Sequence, residues 1–107
     1  MKLGKLIEPT IEMRELLFLC VEWYGFGGNI CGGELHVVLD DDNTDNYWLQ
    51  KFLNETLEKR YDNSDLAIKI LIGLIKLSQD QRNWVTYNIH NTLNGQGERE
   101  IFEELED

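Results

Sequence analysis

Residues 25–45 bring together a glycine-rich bend, an imidazole and a row of carboxylates. The stretch Gly32-Gly33-Glu34-Leu35-His36-Val37-Val38-Leu39-Asp40-Asp41-Asp42-Asn43, with Asp45 just beyond it, holds the groups best able to do chemistry. That combination could serve a divalent metal, an anion held on backbone amides, a hydrolytic reaction, or recognition of a partner by charge. Each chemistry makes a geometric demand that the spacing can be tested against.

A metal site would draw on His36, Asp40, Asp41, Asp42, Asp45 and Cys31, all suitable ligand types. Leu35 to Leu39 reads as a short extended segment, although five residues do not separate strand from helix. If extended, it sets His36 and Asp40 on one face but about 13 Å apart, at about 3.3 Å per residue, too far for one ion. An EF-hand counted from Asp41 puts Asn43 and Asp45 at the third and fifth positions. It then fails, with Asn46 in the glycine position and Phe52 where the bidentate glutamate belongs. The competing reading makes Asp42 and Asp45 caps of the following helix and Asp40 and Asp41 solvated turn residues. His36 is then a structural histidine. No metal or cofactor is assigned.

Gly25-Phe26-Gly27-Gly28 and Gly32-Gly33 could present amides to phosphate. However, neither the P-loop nor the dinucleotide spacing occurs, and an extended segment rather than a helix N-terminus is expected after the loop. Glu34 and the aspartates would also repel the ligand unless a divalent cation intervened. For hydrolysis the chain offers only His36 and His90 as histidines and no serine in a nucleophile elbow. Cys31 lies five extended positions from His36, and carboxylates adjacent on a strand point to opposite faces. These patterns argue against an enzyme.

Charge gives the remaining lead. The 107-residue chain carries a formal -10, which disfavours direct binding to nucleic acid or to an anionic membrane surface. The excess is local. Residues 34–45 carry -5 and residues 98–107 another -5, whereas 1–33 sum to -1 and 46–97 to +1. Spaced carboxylates of this kind can occupy a basic protein groove, or simply keep a small protein soluble.

The elements that must position these groups are mostly helical. Met13, Leu16, Leu17, Cys20, Val21 and Tyr24 recur at three- and four-residue spacing and predict a helix over 10–24. Pro9 or Thr10 starts it and Gly25 ends it. Five glycines in the nine residues 25–33 exclude regular structure there. Trp48, Leu49, Phe52, Leu53 and Leu57 define a second helix over 45–60. A third, about 65–77, is apolar almost all round, interrupted by one stripe of Lys69, Gly73 and Lys76; it should be the central element. Ser78-Gln79-Asp80-Gln81 is a capping-box pattern that opens a fourth helix. Beyond Trp84 the alternation of Val85, Tyr87 and Ile89 fits helix or strand. Leu35 to Leu39, if extended, needs a partner in 85–89, in 3–7 or in a second subunit.

The expected fold is mainly α: a compact bundle of about four helices with one short extended segment, and α+β as the alternative. Residues 1–97 form one domain and 98–107 an acidic tail for which a helix is open. Residues 1–9 lack the apolar core of a secretory signal, and no apolar run nears about 18 residues. A cytoplasmic setting follows.

The Gly32 to Asn43 motif resembles a pattern in small proteins of bacteriophages and prophages: glycine-glycine, any residue, Leu-His, two aliphatics, one further residue, Asp-Asp, Gly, Asn. Asp42 stands where that pattern has glycine. In these proteins, as here, the motif follows one helix and precedes two or three more. A polar segment like Ser78-Gln79-Asp80-Gln81-Arg82 comes after the third. The likeness covers about residues 11–87. It implies a phage or prophage origin and a shared loop, with no catalytic roles to transfer.

The reading is a non-enzymatic accessory protein of phage type in the host cytoplasm, binding a host or phage protein. An inhibitor of a nucleic-acid-handling or defence system is one such role. The contact residues are His36, Asp40, Asp41, Asp42, Asn43 and Asp45, with Glu103, Glu104 and Glu106 as a second patch. Two alternatives stay open: a small-ligand or divalent-metal protein using 25–45, and an assembly component that self-associates through Leu35–Leu39 edges or through Trp48 and Trp84.

Overall fold

The computed structural model describes residues 3–25, 33–40, 44–60, 64–95, 97 and 101–105. Strand β1 (Leu3–Ile7) precedes helices α1 (Ile11–Gly25), α2 (Gly33–Asp40), α3 (Asn46–Lys59), α4 (Ser64–Lys76) and α5 (Gln79–Leu93), and strand β2 (Ile101–Leu105) follows them. The architecture is mainly helical, as the periodicity requires.

Helices α1, α3 and α5 begin where the sequence supplies a cap. The Thr10 hydroxyl accepts from Met13 N–H at 3.2 Å. Asp45 accepts from Trp48 N–H at 3.0 Å. Ser78 and Gln81 bond reciprocally as a capping box, 2.9 and 3.3 Å, which satisfies two N–H groups that the helix itself cannot. At the far end of α5, Gly95 takes φ +76° and its N–H reaches the Thr92 carbonyl at 3.0 Å. Glycine enters that left-handed region without a Cβ penalty.

The buried faces meet in one core. Met13, Leu16, Leu17, Cys20 and Trp23 of α1 pack with Ala67, Ile70, Leu71 and Leu74 of α4, and with Trp84, Val85 and Ile89 of α5. Helix α4 packs against both α3 and α1, and α1 packs against both α4 and α5, so α1 and α4 share the middle of the bundle. Gly73 serves that packing: a Cβ there would lie 2.8 Å from Leu16 Cδ1.

Two expectations change and one open alternative is settled. Leu35 to Leu39 is not extended but lies within α2, with Leu35, Val38 and Leu39 buried. That spacing of three and four is helical, and tertiary burial overrides the strand preference of Val37-Val38. Residues 101–105 of the tail are a strand, not a helix, pairing antiparallel with β1 in the register Leu3↔Leu105 to Ile7↔Ile101. It is therefore residues 3–7 and the tail that partner each other, and 35–39 needs no ladder. Residues 85–89, open between two states in the sequence, belong to α5; Trp84, Val85, Asn88 and Ile89 are buried while Tyr87 is about half exposed. Among the described residues no helix is long and apolar enough to cross a membrane.

Candidate functional site

The acidic turn is framed by α2 and α3. Asp40 is the last residue of α2; Asp41, Asp42 and Asn43 lie outside the described residues, as does Glu106. Asp45 is a helix cap, so at least one carboxylate of the cluster has a structural duty. Glu103 and Glu104 lie on β2, opposite Lys5 and Gly4 in the register.

What holds the exit of this turn is a residue the sequence reading passed over as part of a polar segment. Arg82 is only 4% exposed. Its Nε donates to the Leu74 carbonyl at 2.8 Å and its Nη1 to the Thr44 carbonyl at 2.7 Å. Its Nη2 donates to Asn46 Oδ1. Gln79 adds an amide bond to the buried Thr44 hydroxyl at 2.7 Å. Every one of these acceptors is neutral. The cation is offset by carbonyl dipoles at the C-terminal end of α4, where a helix carries about half a negative charge. Burial pulls the Arg82 pKa down, and the charge of Asp45 opposes that pull. One guanidinium thus ties the end of α4 to the start of α3. The only sequence signal was an arginine directly after a capping box, and nothing in the spacing named Thr44 and Asn46, 38 and 36 residues away, as its partners.

His36 sits half-buried on α2, its ring 6.4 Å from that of Tyr24 at the end of α1. The Tyr24 ring also lies 6.5 Å from that of His90 on α5. Both histidines of the chain therefore flank one tyrosine, an arrangement that sequence distance gave no means of finding. The helical form of 33–40 also removes the distance objection: positions 36 and 40 are one turn apart, about 6 Å along the axis. Among the described residues, no three His, Cys, Asp or Glu side chains group so as to hold a metal ion. Cys20 is wholly buried and burial pushes its thiol pKa up, which suppresses the thiolate that nucleophilic chemistry needs. Cys31 lies outside the described residues.

Of the residues expected to mediate self-association, Leu35, Leu39 and Trp84 are enclosed, whereas Val37 is exposed. Leu35 and Leu39 are at most 1% exposed and Trp84 is fully buried. Trp48 is half-buried, stacked on Phe52 at 5.9 Å with Lys51 over its ring.

A different surface carries the Lys69, Gly73 and Lys76 stripe. Between α1 and α4 lies an open groove of about 440 Å³. Glu12 and Glu15 of α1 form one wall, Lys69 and Lys76 of α4 the other, with Leu16 and Gly73 in the floor. Glu12, Glu15, Lys69 and Lys76 are all exposed. Comparison of the chain with protein-family models, with curated proteins and with solved structures returns no match.

Proposed function

We propose that this chain is a non-enzymatic accessory protein, of the type that small phage and prophage proteins represent, that binds a host or phage protein in the bacterial cytoplasm. The contact is the acidic turn between α2 and α3 with His36, Asp40, Asp41, Asp42, Asn43 and Asp45, supported by Glu103, Glu104 and Glu106. Inhibition of a nucleic-acid-handling or defence protein is the role such charge suits, because carboxylates can answer the basic groove of such a partner. The observation that carries this reading is the anchoring of the turn. Helix α2 ends at Asp40, and at the start of α3 Arg82 donates to the Thr44 carbonyl and the Asn46 side chain while Gln79 donates to the Thr44 hydroxyl. Contact residues held by the body, as Asp45 and Asn46 are, lose less freedom on binding than loose ones.

The test is affinity capture from host lysate, analysed by mass spectrometry, with wild type beside the triple Asp41→Asn, Asp42→Asn, Asp45→Asn variant. Asparagine also caps helices, so the variant removes charge while leaving the start of α3 in place. A partner held by wild type and lost by the variant supports the reading. Identical partners on both would overturn it.

The helical placement of His36 one turn from position 40, with its ring near Tyr24, favours a second reading: a small ligand or divalent ion bound in the 25–45 region. A stoichiometric rise in melting temperature with Mg²⁺, Ca²⁺, Mn²⁺ or Zn²⁺ would support it, by mass action on the native state. No shift with any of the four would remove the metal version.

A further inference from the structure

We propose that the face formed by α1 and α4 is the contact surface of a symmetric homodimer. Two rows of side chains define it. On α1, Ile11, Glu15 and Phe18 follow at four- and three-residue steps, which places them in one row. Ile11 and Phe18 are each 70% exposed, unusually bare for large apolar side chains of a small domain. On α4, Lys69, Ile72 and Lys76 form a matching row, and Ile72 is 39% exposed. The groove lies between the rows, with Glu12 and Glu15 on one wall and Lys69 and Lys76 on the other. Scattered exposed apolar residues need no explanation. Here they alternate with acids on one helix and with bases on its neighbour.

That pattern is self-complementary under one symmetry operation. A two-fold axis running along the groove lays α1 of one copy over α4 of the other, and α4 over α1. Glu12 and Glu15 then meet Lys69 and Lys76 of the second copy, twice over, as an isologous interface requires. Ile11 and Phe18 are brought toward Ile72. An axis across the groove would stack α1 on α1 and set glutamate against glutamate, so the charges select the first arrangement. A helix from another protein would have to supply a basic row and an acidic row in the right order; a second copy already has both. The described parts of the two -5 stretches belong to other elements, α2, the cap of α3 and β2. The proposal is therefore independent of binding through the acidic turn.

The experiment is multi-angle light scattering of the full chain across micromolar to millimolar concentration, with two charge-reversed variants. One is Lys69→Glu with Lys76→Glu; the other is Glu12→Lys with Glu15→Lys. Wild type should scatter at twice the 12.6 kDa chain mass. Each variant alone should remain monomeric, because its homodimer opposes like charges at both α1–α4 contacts. Their equimolar mixture should regain the dimer, because both contacts then pair opposite charges. Carbodiimide cross-linking of a mixture of ¹⁵N-labelled and unlabelled wild type checks the same contact without any substitution. It should join Glu12 or Glu15 of one isotope to Lys69 or Lys76 of the other. A wild type that stays monomeric throughout would overturn the proposal, leaving the groove to another protein's helix. A dimer that survives both reversals, or cross-links confined to one isotope, would overturn it equally.

Discussion

Two places in this molecule hold positive charge against α4, and they treat it in opposite ways. At its C-terminal end, Arg82 is buried and spends its donors on the carbonyls of Leu74 and Thr44 and on the side chain of Asn46. Along its outer side, Lys69 and Lys76 stand exposed across a groove from Glu12 and Glu15. The first arrangement is complete within the chain and so belongs to the architecture. The second is left open, and its charges have most to gain from a surface brought in from outside. A cation's burial and the completeness of its bonding, more than its presence, separate structure from interface.

The sharpest way to break this comparison is to remove Arg82. Arg82→Met keeps an aliphatic stem of similar reach but deletes every donor, leaving the Thr44 carbonyl without its arginine donor and the Leu74 carbonyl with only the Leu77 N–H. The expected loss is about 3 kcal/mol of stability, which for a domain of this size lowers the melting temperature by about 15 °C. Arg82→Lys should recover less than half of that, since one ammonium cannot span acceptors on α4 and on the turn as the planar fork does. Reversing Lys69 and Lys76 together should change monomer stability by no more than about 0.5 kcal/mol. Thermal denaturation followed by circular dichroism, at concentrations low enough to keep wild type monomeric, decides both. Similar losses at the two places would erase the distinction.

A smaller effect sharpens the account of the acidic turn. Asp45→Ala removes the cap on Trp48 N–H and should cost about 1 kcal/mol, whereas Asp45→Asn should cost a few tenths, about 0.3. Urea unfolding of the two variants measures the difference directly. If Asn and Ala cost the same, the cap contributes nothing, and Asp45 serves only through its charge, which would make it a contact residue like its neighbours. The ion pair Arg60–Asp65 offers no such lever, since both side chains are largely solvated at 56% and 90% exposure and such pairs contribute little.

How much of this was legible in the sequence follows from the distance over which each feature is decided. The faces of α1, α3 and α4 are set by neighbours three and four residues away, so apolar spacing locates them to within a residue or two. The capping box at Ser78 is likewise local. The segment Leu35 to Leu39 failed because two adjacent valines favour a strand in isolation, and only the burial of Leu35, Val38 and Leu39 against the rest of the core decides for helix. Tyr87 misled in the opposite sense: its place in an apparent alternation hid the fact that it faces solvent while Asn88 is buried, bonded to the Trp84 carbonyl at 2.9 Å. Arg82 and the pairing of His36 with His90 around Tyr24 rest on contacts between distant parts of the chain, which no window of residues contains. The groove was half legible. The Lys69, Gly73 and Lys76 stripe stood out, but nothing in the chain order said that Glu12 and Glu15 would face it.

Gly73 gives the smallest predicted change and the finest test of how the groove is built. Replacing it with alanine improves helix propensity by about 1 kcal/mol, but the added methyl would meet Leu16 Cδ1 at 2.8 Å. Leu16 is buried, yet its tip borders the open groove and can turn into it, so the overpacking cost should stay near the lower end of about 1–3 kcal/mol. The two terms nearly cancel, and Gly73→Ala alone should sit within about 1 kcal/mol of wild type. In a Leu16→Ala background the clash is gone and the same substitution should stabilise by about 1 kcal/mol. A double-mutant cycle by urea unfolding reads that coupling. Strict additivity would mean that α1 and α4 do not meet at this point, and the floor of the groove would have to be drawn differently. A coupling of the expected sign would fix the closest approach of the two helices between the Glu12–Glu15 and Lys69–Lys76 walls, where the dimer axis is placed.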